Sequence, residues 1–252
     1  MSGTIIITGG ASGIGLATAE LARDKGLRVA VIDLPGAALD QARAAGFATH
    51  AGDITDEAAM NGIIDGIAAE GPIWGLVNSA GTGADLAMLE TPPGRFSQIL
   101  NVNVLGSFIV SAACARHMRQ GGGSIVNISS VSGIRGNEGR VAYGASKGAV
   151  IAMTKVMAVE LAGFGIRVNA IAPGPVETPL VAVVHTPEVR EAWAGAVPMR
   201  RYGATAEIAA PILFLLDEAQ SSYVTGQVLS VDGGFIAAGI MSGTSEAGNR
   251  NA

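Results

Sequence analysis

The chain has 252 residues, of which 49% are hydrophobic and 15% are charged, and its formal net charge is −5. This composition predicts a globular protein with a large core and excludes a disordered one. The acidic balance argues against nucleic-acid binding, which needs a basic face, so we expect small-molecule ligands.

Short β-branched segments alternate along the chain with longer segments of helical length. The predicted strands are 4–8, 28–33, 73–78, 123–129, 167–173 and 227–233, and the predicted helices are 13–25, 56–69, 93–119 and 141–162. This alternation predicts an α/β fold with a doubly wound parallel sheet and helices on both faces. The chain shows no linker, repeat or composition break, so we expect one domain over 1–241 and a polar tail over 242–252.

A glycine-rich turn, TGGASGIG (8–15), joins the first predicted strand to the first helix. Its glycines let the backbone turn tightly, and the helix N-terminus offers free N–H groups to a pyrophosphate. Such a turn alone is weak evidence, but Asp33 ends the second strand, where a carboxylate can accept hydrogen bonds from ribose hydroxyls. Leu34 and Pro35 follow Asp33, and neither could hold a 2′-phosphate. We therefore predict NAD rather than NADP.

The stretch YGASK places Tyr143 four residues before Lys147. Positions four apart share one face of a helix, so both side chains can point into the same cleft. A free tyrosine titrates near ~10, which is too high for a base at neutral pH, and a nearby cation can lower that value by roughly 1–3 units. The spacing therefore predicts a proton-transfer pair in which Lys147 lowers the pKa of Tyr143 and bound NAD⁺ adds a second positive charge.

Together these motifs closely resemble the short-chain dehydrogenase/reductase family in its single-domain form. The similarity runs from about residue 4 to residue 235 and includes TGGASGIG (8–15), GDI (52–54), NSAG (78–81), NVNVLG (101–106), SIVNISS (124–130), YGASK (143–147), RVNAIAPGPVETP (167–179) and VTGQVLSVDGG (224–234). One departure is Ser79, since the family commonly has two asparagines before Ala-Gly. The resemblance implies a Rossmann fold and an NAD-dependent oxidoreductase that interconverts a secondary alcohol and a ketone.

The resemblance also implies site residues. The catalytic tetrad would be Asn103, Ser130, Tyr143 and Lys147, with Ser130 preferred over Ser129 because alternation along a strand makes the two face opposite ways. The implied substrate contacts are Ser130, Ser132, Asn137 and Tyr143. The implied cofactor contacts are Gly9, Ser12, Gly13, Ile14, Gly15, Asp33, Leu34, Asp53, Ile54, Asn78, Ala80, Gly81, Tyr143, Lys147, Pro173, Gly174, Val176 and Thr178.

Some of these residues have plainer alternatives. Asn103 either links Lys147 to solvent through water, as the resemblance implies, or only bends a helix. Asp53 either flanks the adenine or caps the helix that begins near residue 56. Thr178 either reaches the cofactor or marks a turn before proline.

The substrate is not legible from the sequence. The segments 132–140 and 177–200 and the loop after residue 81 would line its site, and they suit a polyol, a hydroxy acid or a cyclic alcohol. The nearest rival activity is an NADPH-linked 3-oxoacyl thioester reductase, against which Asp33 counts. A non-catalytic dinucleotide-sensing regulator is the rival of another class, but it would be expected to lose part of the tetrad. The three histidines have no second ligand at metal-like spacing, so no metal is expected.

Assembly, location and motion are further expectations. Helix 141–162 is rich in alanine and poor in charge, which predicts burial nearly all round. Since the family commonly forms tetramers or dimers, we expect a homotetramer or otherwise a homodimer, although neighbours within one subunit could also cover the helix. The apolar run 209–216 is too short to cross a bilayer, and a lone Cys114 fits a reducing cytoplasm, so we expect a cytoplasmic protein without a membrane partner. Segment 177–200 is expected to form a mobile substrate lid or, alternatively, a fixed connection.

Overall fold

Seven parallel strands form the central sheet of the computed structural model, which describes residues 3–239 and 241. The order across the sheet is β3-β2-β1-β4-β5-β6-β7. The strands are β1 (Thr4–Thr8), β2 (Arg28–Asp33), β3 (Ala48–Ala51), β4 (Ile73–Asn78), β5 (Gly123–Ile128), β6 (Ile166–Pro173) and β7 (Val228–Val231). The predicted fold class is therefore confirmed, and the predicted tail over 242–252 lies outside the described residues.

Helices cover both faces of this sheet. They are α1 (Gly13–Asp24), α2 (Ala37–Ala44), α3 (Glu57–Ala69), α4 (Pro93–Leu100), α5 (Ser107–Met118), α6 (Val141–Leu161), α7 (Pro179–Val184), α8 (Pro187–Ala196), α9 (Thr205–Leu216) and α10 (Glu218–Ser221). Helices α1 and α9 pack against one face of the sheet, whereas α3 and α5 pack against the other. Because both faces are covered, every residue of β1 and β6 is buried, as the apolar composition of these strands predicts.

The chain reverses direction across the sheet at β1. After β1 it winds outward through β2 and β3, and it then returns to pair β4 with the other edge of β1. In a doubly wound sheet, the carboxyl ends of the strands at this reversal border a crevice that binds ligands. The fold therefore directs attention to the loops that follow β1, β2, β4, β5 and β6.

Three features differ from the sequence-based assignment. Strand β3 and helix α2 were missed, because both are short and β3 pairs only along one edge, with β2. The helix predicted over 93–119 is interrupted between α4 and α5 by a π-helical turn, Asn101–Gly106. The apolar run near the C-terminus is α9, a buried helix despite Pro211 in its interior.

Helix α6 is less buried than its composition predicts. Ala145, Ala152, Val156 and Val159 are exposed, with Val159 reaching 80%. One stripe of small and apolar side chains faces outward, so the alternative that neighbours within one subunit cover the helix is wrong, and its burial in an assembly stays a prediction.

Taken together, α4, the π-helical turn and α5 form a helical segment, Pro93–Met118, that is long and apolar enough to cross a membrane by length and composition alone. In this protein 56% of its most apolar window is buried against other elements, as in the core helix of a folded domain. Its apolar surface is thus largely explained by packing.

Candidate active site

The glycine-rich turn between β1 and α1 forms the floor of the candidate site. Gly9 and Gly13 have φ values of +62° and +54°, a region that side chains disfavour. A Cβ on Gly9 would lie 2.7 Å from the backbone of Ala80, and one on Gly15 would lie 2.2 Å from the Gly9 carbonyl oxygen. Only glycine lets the turn approach both the next loop and the start of α1, whose N–H groups suit a pyrophosphate.

Asp33 is fixed beside this turn. Its carboxylate accepts hydrogen bonds from the backbone N–H groups of Ala11 at 3.0 Å and of Leu34 at 2.8 Å. The Leu34 side chain itself is 58% exposed. The carboxylate is therefore held at the end of β2, where the ribose of a dinucleotide bound to the turn would lie.

The segments predicted to contact the cofactor converge around the turn. The Ala80 N–H donates to the Thr8 hydroxyl at 3.3 Å, and the Thr178 methyl group would be 3.6 Å from a Cβ on Gly13. The structure thus brings together loops from β1, β2, β4 and β6, and the glycines leave room for a ligand backbone where a side chain would not fit. This arrangement fits a nicotinamide dinucleotide.

Three of the predicted cofactor residues, Asp53, Asn78 and Thr178, form hydrogen bonds within the protein. Asp56, not Asp53, caps α3, while the Asp53 carboxylate accepts from the N–H and hydroxyl of Thr55, so the capping alternative for Asp53 is wrong. The amide of Asn78 is buried and donates to Ser111 and Asn127, so its side chain links β4 to β5 and α5. Thr178 caps α7, accepting from the Val181 N–H at 3.2 Å.

The π-helical turn aims Asn103 inward. Its side chain exchanges two hydrogen bonds with the Thr82 backbone, at 2.8 and 2.9 Å, and donates a third to the Ser146 hydroxyl at 2.9 Å. Asn103 is 1% exposed. It therefore fastens the loop after β4 to α6, and its water-mediated link to Lys147 stays a prediction.

Ser129 and Ser130 do face opposite ways at the end of β5. The Ser129 hydroxyl is buried and donates to the Lys147 carbonyl oxygen at 2.9 Å, which is a structural bond. The Ser130 hydroxyl accepts from the Ser132 N–H at 3.1 Å, and it lies close enough to Tyr143 to lower the pKa of the phenol. Ser130 is thus the serine on the side of Tyr143.

Lys147 lies one helical turn after Tyr143 on α6, as the spacing predicts. Its Nζ lies 5.7 Å from the centre of the Tyr143 ring and donates to the Ile128 carbonyl oxygen at 2.8 Å. Burial lowers the pKa of Lys147 to about 8. At neutral pH the side chain is consequently still a cation, next to the phenol.

The pKa of Tyr143 moves in the direction opposite to the one expected from the sequence. Burial raises it, and this effect exceeds the lowering that comes from the hydrogen bond with Ser130 and from the charge of Arg140; Asp85 raises it further. The expectation that cations of the protein lower the pKa of Tyr143 below its ordinary value is therefore wrong, because desolvation of the phenolate raises this pKa by more than the cations lower it.

A cavity of about 500 Å³ opens beside the helix that carries Tyr143. Its lining includes the predicted substrate residues Ser132 and Asn137, which are hydrogen-bonded to each other at 2.9 Å, together with Glu138 and Arg140. The apolar part comes from Ala87, Met88 and Val141. The cavity can accept a small molecule close to the helix that carries Tyr143.

Sequence reasoning missed the polar network around this cavity. Arg140 pairs with Asp85 and contacts His185 at 3.3 Å, while His185 contacts Tyr202 at 3.0 Å. These partners are separated by 17 to 55 positions and follow no local pattern, so no motif signals them. Within the described residues, no group of three or more histidine, cysteine, aspartate or glutamate side chains could hold a metal ion.

Comparison with known proteins gives relatives over nearly the whole chain. Residues 9–236 match a family model described as enoyl-(acyl carrier protein) reductase. A galactitol 2-dehydrogenase (L-tagatose-forming) from Cereibacter sphaeroides is 44% identical, with coverage of 91% of this chain and 93% of that protein. A 3-oxoacyl-[acyl-carrier-protein] reductase from Thermotoga maritima is 41% identical, with coverage of 92% and 96%. The solved structure of ElxO with NADP bound superimposes with a TM-score of 0.87 at 32% identity, covering 94% and 100%.

Proposed function

The chain belongs to the short-chain dehydrogenase/reductase family, and on this basis we propose that it is an NAD-dependent oxidoreductase that interconverts a secondary alcohol and a ketone. The observation that carries the proposal is that Ser130, Tyr143 and Lys147 lie together, in a fold whose glycine-rich turn and Asp33 suit a dinucleotide. A purely regulatory dinucleotide-binding protein would not need this set of proton-handling groups.

The residues of the site would divide the work as follows. Tyr143 takes the hydroxyl proton of the alcohol during oxidation and returns it during reduction. Ser130, which lies beside Tyr143, orients the substrate oxygen. Lys147 supplies positive charge beside the phenolate and would reach the nicotinamide ribose. Bound NAD⁺ supplies the hydride acceptor, and its positive ring would oppose the effect of burial on the pKa of Tyr143.

Asp33 supports the choice of NAD. A 2′-phosphate on the ribose would approach its fixed carboxylate, and segments 9–15 and 33–36 contain no lysine or arginine that could compensate. The test compares kcat/KM for NAD and NADP in the wild type, in Asp33→Ala and in Asp33→Asn. The wild type should have the higher kcat/KM with NAD, and the ratio of kcat/KM for NAD to that for NADP should be smaller in both variants. A wild-type preference for NADP, the cofactor of the ElxO structure, would refute this choice.

We propose that the substrate is a polyol. Ser132, Asn137, Glu138 and Arg140 place hydrogen-bonding groups on a wall that is otherwise apolar, and these groups can bind several hydroxyls of one chain. The galactitol dehydrogenase relative adds support, since its name specifies a polyol.

The deciding experiment is a panel of secondary alcohols with NAD⁺, read by reduced-nicotinamide absorbance. The panel holds polyols, hydroxy acids, cyclic alcohols and a 3-hydroxyacyl thioester. Turnover of polyols above the other classes supports the proposal. Turnover of the thioester alone, with NADP, would instead favour the rival that the Thermotoga relative represents. No turnover of any member, with intact NAD binding, would favour the regulatory alternative.

Assembly and location are also proposals. The exposed stripe of α6, with Val156 at 55% and Val159 at 80%, is an apolar surface of the kind that subunits cover. We propose a homotetramer, or otherwise a homodimer. The single cysteine, Cys114, is fully buried, which fits a cytoplasmic location.

A further inference from the structure

A chain of polar contacts connects the substrate cavity to the segment after β6. Arg140, just before α6, pairs with Asp85 in the loop after β4, and the two side chains are 18% and 35% exposed. The same guanidinium contacts His185, the residue that follows α7, and His185 contacts the hydroxyl of Tyr202. Arg140 is thus held from two sides by residues that are distant in sequence.

The contacts define the proton positions on His185. A guanidinium has only donors, so His185 Nε2 must accept from Arg140 and carry no proton. The proton then lies on Nδ1, which donates to the Tyr202 hydroxyl at 3.0 Å. Burial, followed by the charge of Arg140, lowers the pKa of His185 below its ordinary value, which keeps the ring neutral at physiological pH. A neutral His185 can hold Arg140 without opposing its charge.

The held guanidinium lies over the ring of Tyr143. Its Cζ is 5.4 Å from the ring centre, slightly nearer than the 5.7 Å of Lys147 Nζ. The charged and titratable groups that act on Tyr143 or on its neighbours Arg140 and His185 are Arg140, Lys147, Ser130, Asp85, His185, Arg190 and Glu177. Only Arg140 and Lys147 among them place a cation at the ring itself.

We propose that Arg140 is a positioning residue for Tyr143: Asp85 and His185 hold its guanidinium against the ring as a second cation, which stabilises the ionised tyrosine during proton transfer. This inference rests on the proposed function, because it assumes that Tyr143 is the base. It gives Asp85 the opposite influence, since the same carboxylate that holds Arg140 also opposes a negative charge on the phenol. The two charges of the pair therefore act on the pKa of Tyr143 in opposite directions.

The test uses the pH dependence of kcat/KM for alcohol oxidation, whose rising limb reports the base in the free enzyme. Arg140→Gln removes the charge but keeps hydrogen-bonding ability, and it should raise the apparent pKa by about one unit, with a roughly tenfold loss on the acidic limb. Arg140→Lys should retain the wild-type profile. Asp85→Asn should shift the profile toward lower pH, and the double variant Asp85→Asn/Arg140→Gln should return most of the way to the wild type.

Arg190→Gln is the matched control. Arg190 contacts the ring of Tyr202 and influences His185, but it does not act on Tyr143, so its variant should keep the wild-type apparent pKa. A wild-type profile for Arg140→Gln would overturn the inference, as would an equal shift in Arg140→Lys. If Arg140→Gln fails to fold, Arg140→Met takes its place and should give the same upward shift, and a wild-type profile for Arg140→Met counts against the inference.

A second readout does not depend on turnover. The ultraviolet absorbance of tyrosinate, titrated in wild type and Arg140→Gln and corrected by the same titration of Tyr143→Phe variants, isolates one of the three tyrosines. Its midpoint should be higher in Arg140→Gln, and an unchanged midpoint would contradict the inference. Failure of the proposed function looks different, because no alcohol would then be oxidised by the wild type while this spectroscopic shift would persist.

Discussion

Replacing Lys147 by methionine should remove a charge that destabilises the folded protein. The side chain is 6% exposed, and its one hydrogen bond goes to the Ile128 carbonyl oxygen at 2.8 Å. Burial lowers the pKa of Lys147 from 10.5 to about 8, whereas the unfolded chain regains the ordinary value. The folded state therefore binds the proton less tightly than the unfolded state does, and protonation favours unfolding.

The magnitude follows from the two pKa values. The fall from 10.5 to about 8, at about 1.36 kcal/mol per unit, corresponds to roughly 3 kcal/mol of destabilisation. It is fully present below about pH 8 and is relieved as the pH rises toward the unfolded value of 10.5. Methionine removes it but leaves the Ile128 carbonyl without a partner, at a cost of about 1–3 kcal/mol. We expect Lys147→Met to match or exceed wild-type stability by up to about 2 kcal/mol at neutral pH.

The assay is urea unfolding of both proteins at pH 7, 8 and 9, at one protein concentration because assembly affects stability. The free energy of unfolding of the wild type should gain about 1 kcal/mol relative to Lys147→Met between pH 7 and pH 9. Lys155→Met, at an exposed position of the same helix, is the control and should show no such trend. A difference between wild type and Lys147→Met that stays constant across this range would refute the reasoning.

Four further predictions concern chemistry, stability, motion and assembly. Tyr143→Phe should abolish turnover while titration calorimetry shows NAD binding retained, because only the proton-transfer oxygen is lost; near-wild-type turnover would contradict the mechanism. Arg167→Leu should lower the free energy of unfolding, measured in urea, by about 2–4 kcal/mol, because the buried guanidinium donates hydrogen bonds to the last two carbonyl groups of α9. A smaller loss would contradict the claim that these hydrogen bonds stabilise the fold. If segment 177–200 is a mobile lid, fluorescence emission from Trp193, whose ring centre lies 5.2 Å from that of Phe235, should change in a Trp74→Phe background when a product analogue binds the NAD complex. Unchanged emission and unchanged acrylamide quenching would show that segment 177–200 is a fixed connection. Light scattering at micromolar concentration should give a multiple of 25.3 kDa, and the monomer mass would remove the assembly proposal.

The family and fold could be read from the sequence because they depend on local rules. Buried parallel strands need continuous apolar runs such as TIIIT, and a backbone that approaches a pyrophosphate needs glycine at fixed positions. The four-residue spacing of Tyr143 and Lys147 places them on one helix face whatever surrounds them. From these features the sheet and the family were predicted, and the structure and the comparisons confirmed both; they also predicted a site at the carboxyl ends of the strands.

Other features depended on contacts that no local pattern encodes. Strand β3, ATHA, has little apolar character and exists because β2 offers it an unpaired edge. Asn103 points inward because a π-helical turn interrupts the helix predicted over 93–119, and because its side-chain amide forms two hydrogen bonds with the Thr82 backbone. The lining of the cavity likewise comes from separate loops that only the fold brings together.

The ionisation of the site was decided by tertiary structure alone. From the sequence, Lys147 and bound NAD⁺ were expected to lower the pKa of Tyr143, because spacing indicates neighbouring charges but not the loss of water on folding. In the folded protein both side chains lose water, so the pKa of Tyr143 rises and that of Lys147 falls to about 8. Arg140 and Asp85 then act on the phenol from loops 55 positions apart. Sequence spacing determined which groups meet, whereas desolvation and distant charges, which exist only after folding, determined how tightly each group holds its proton.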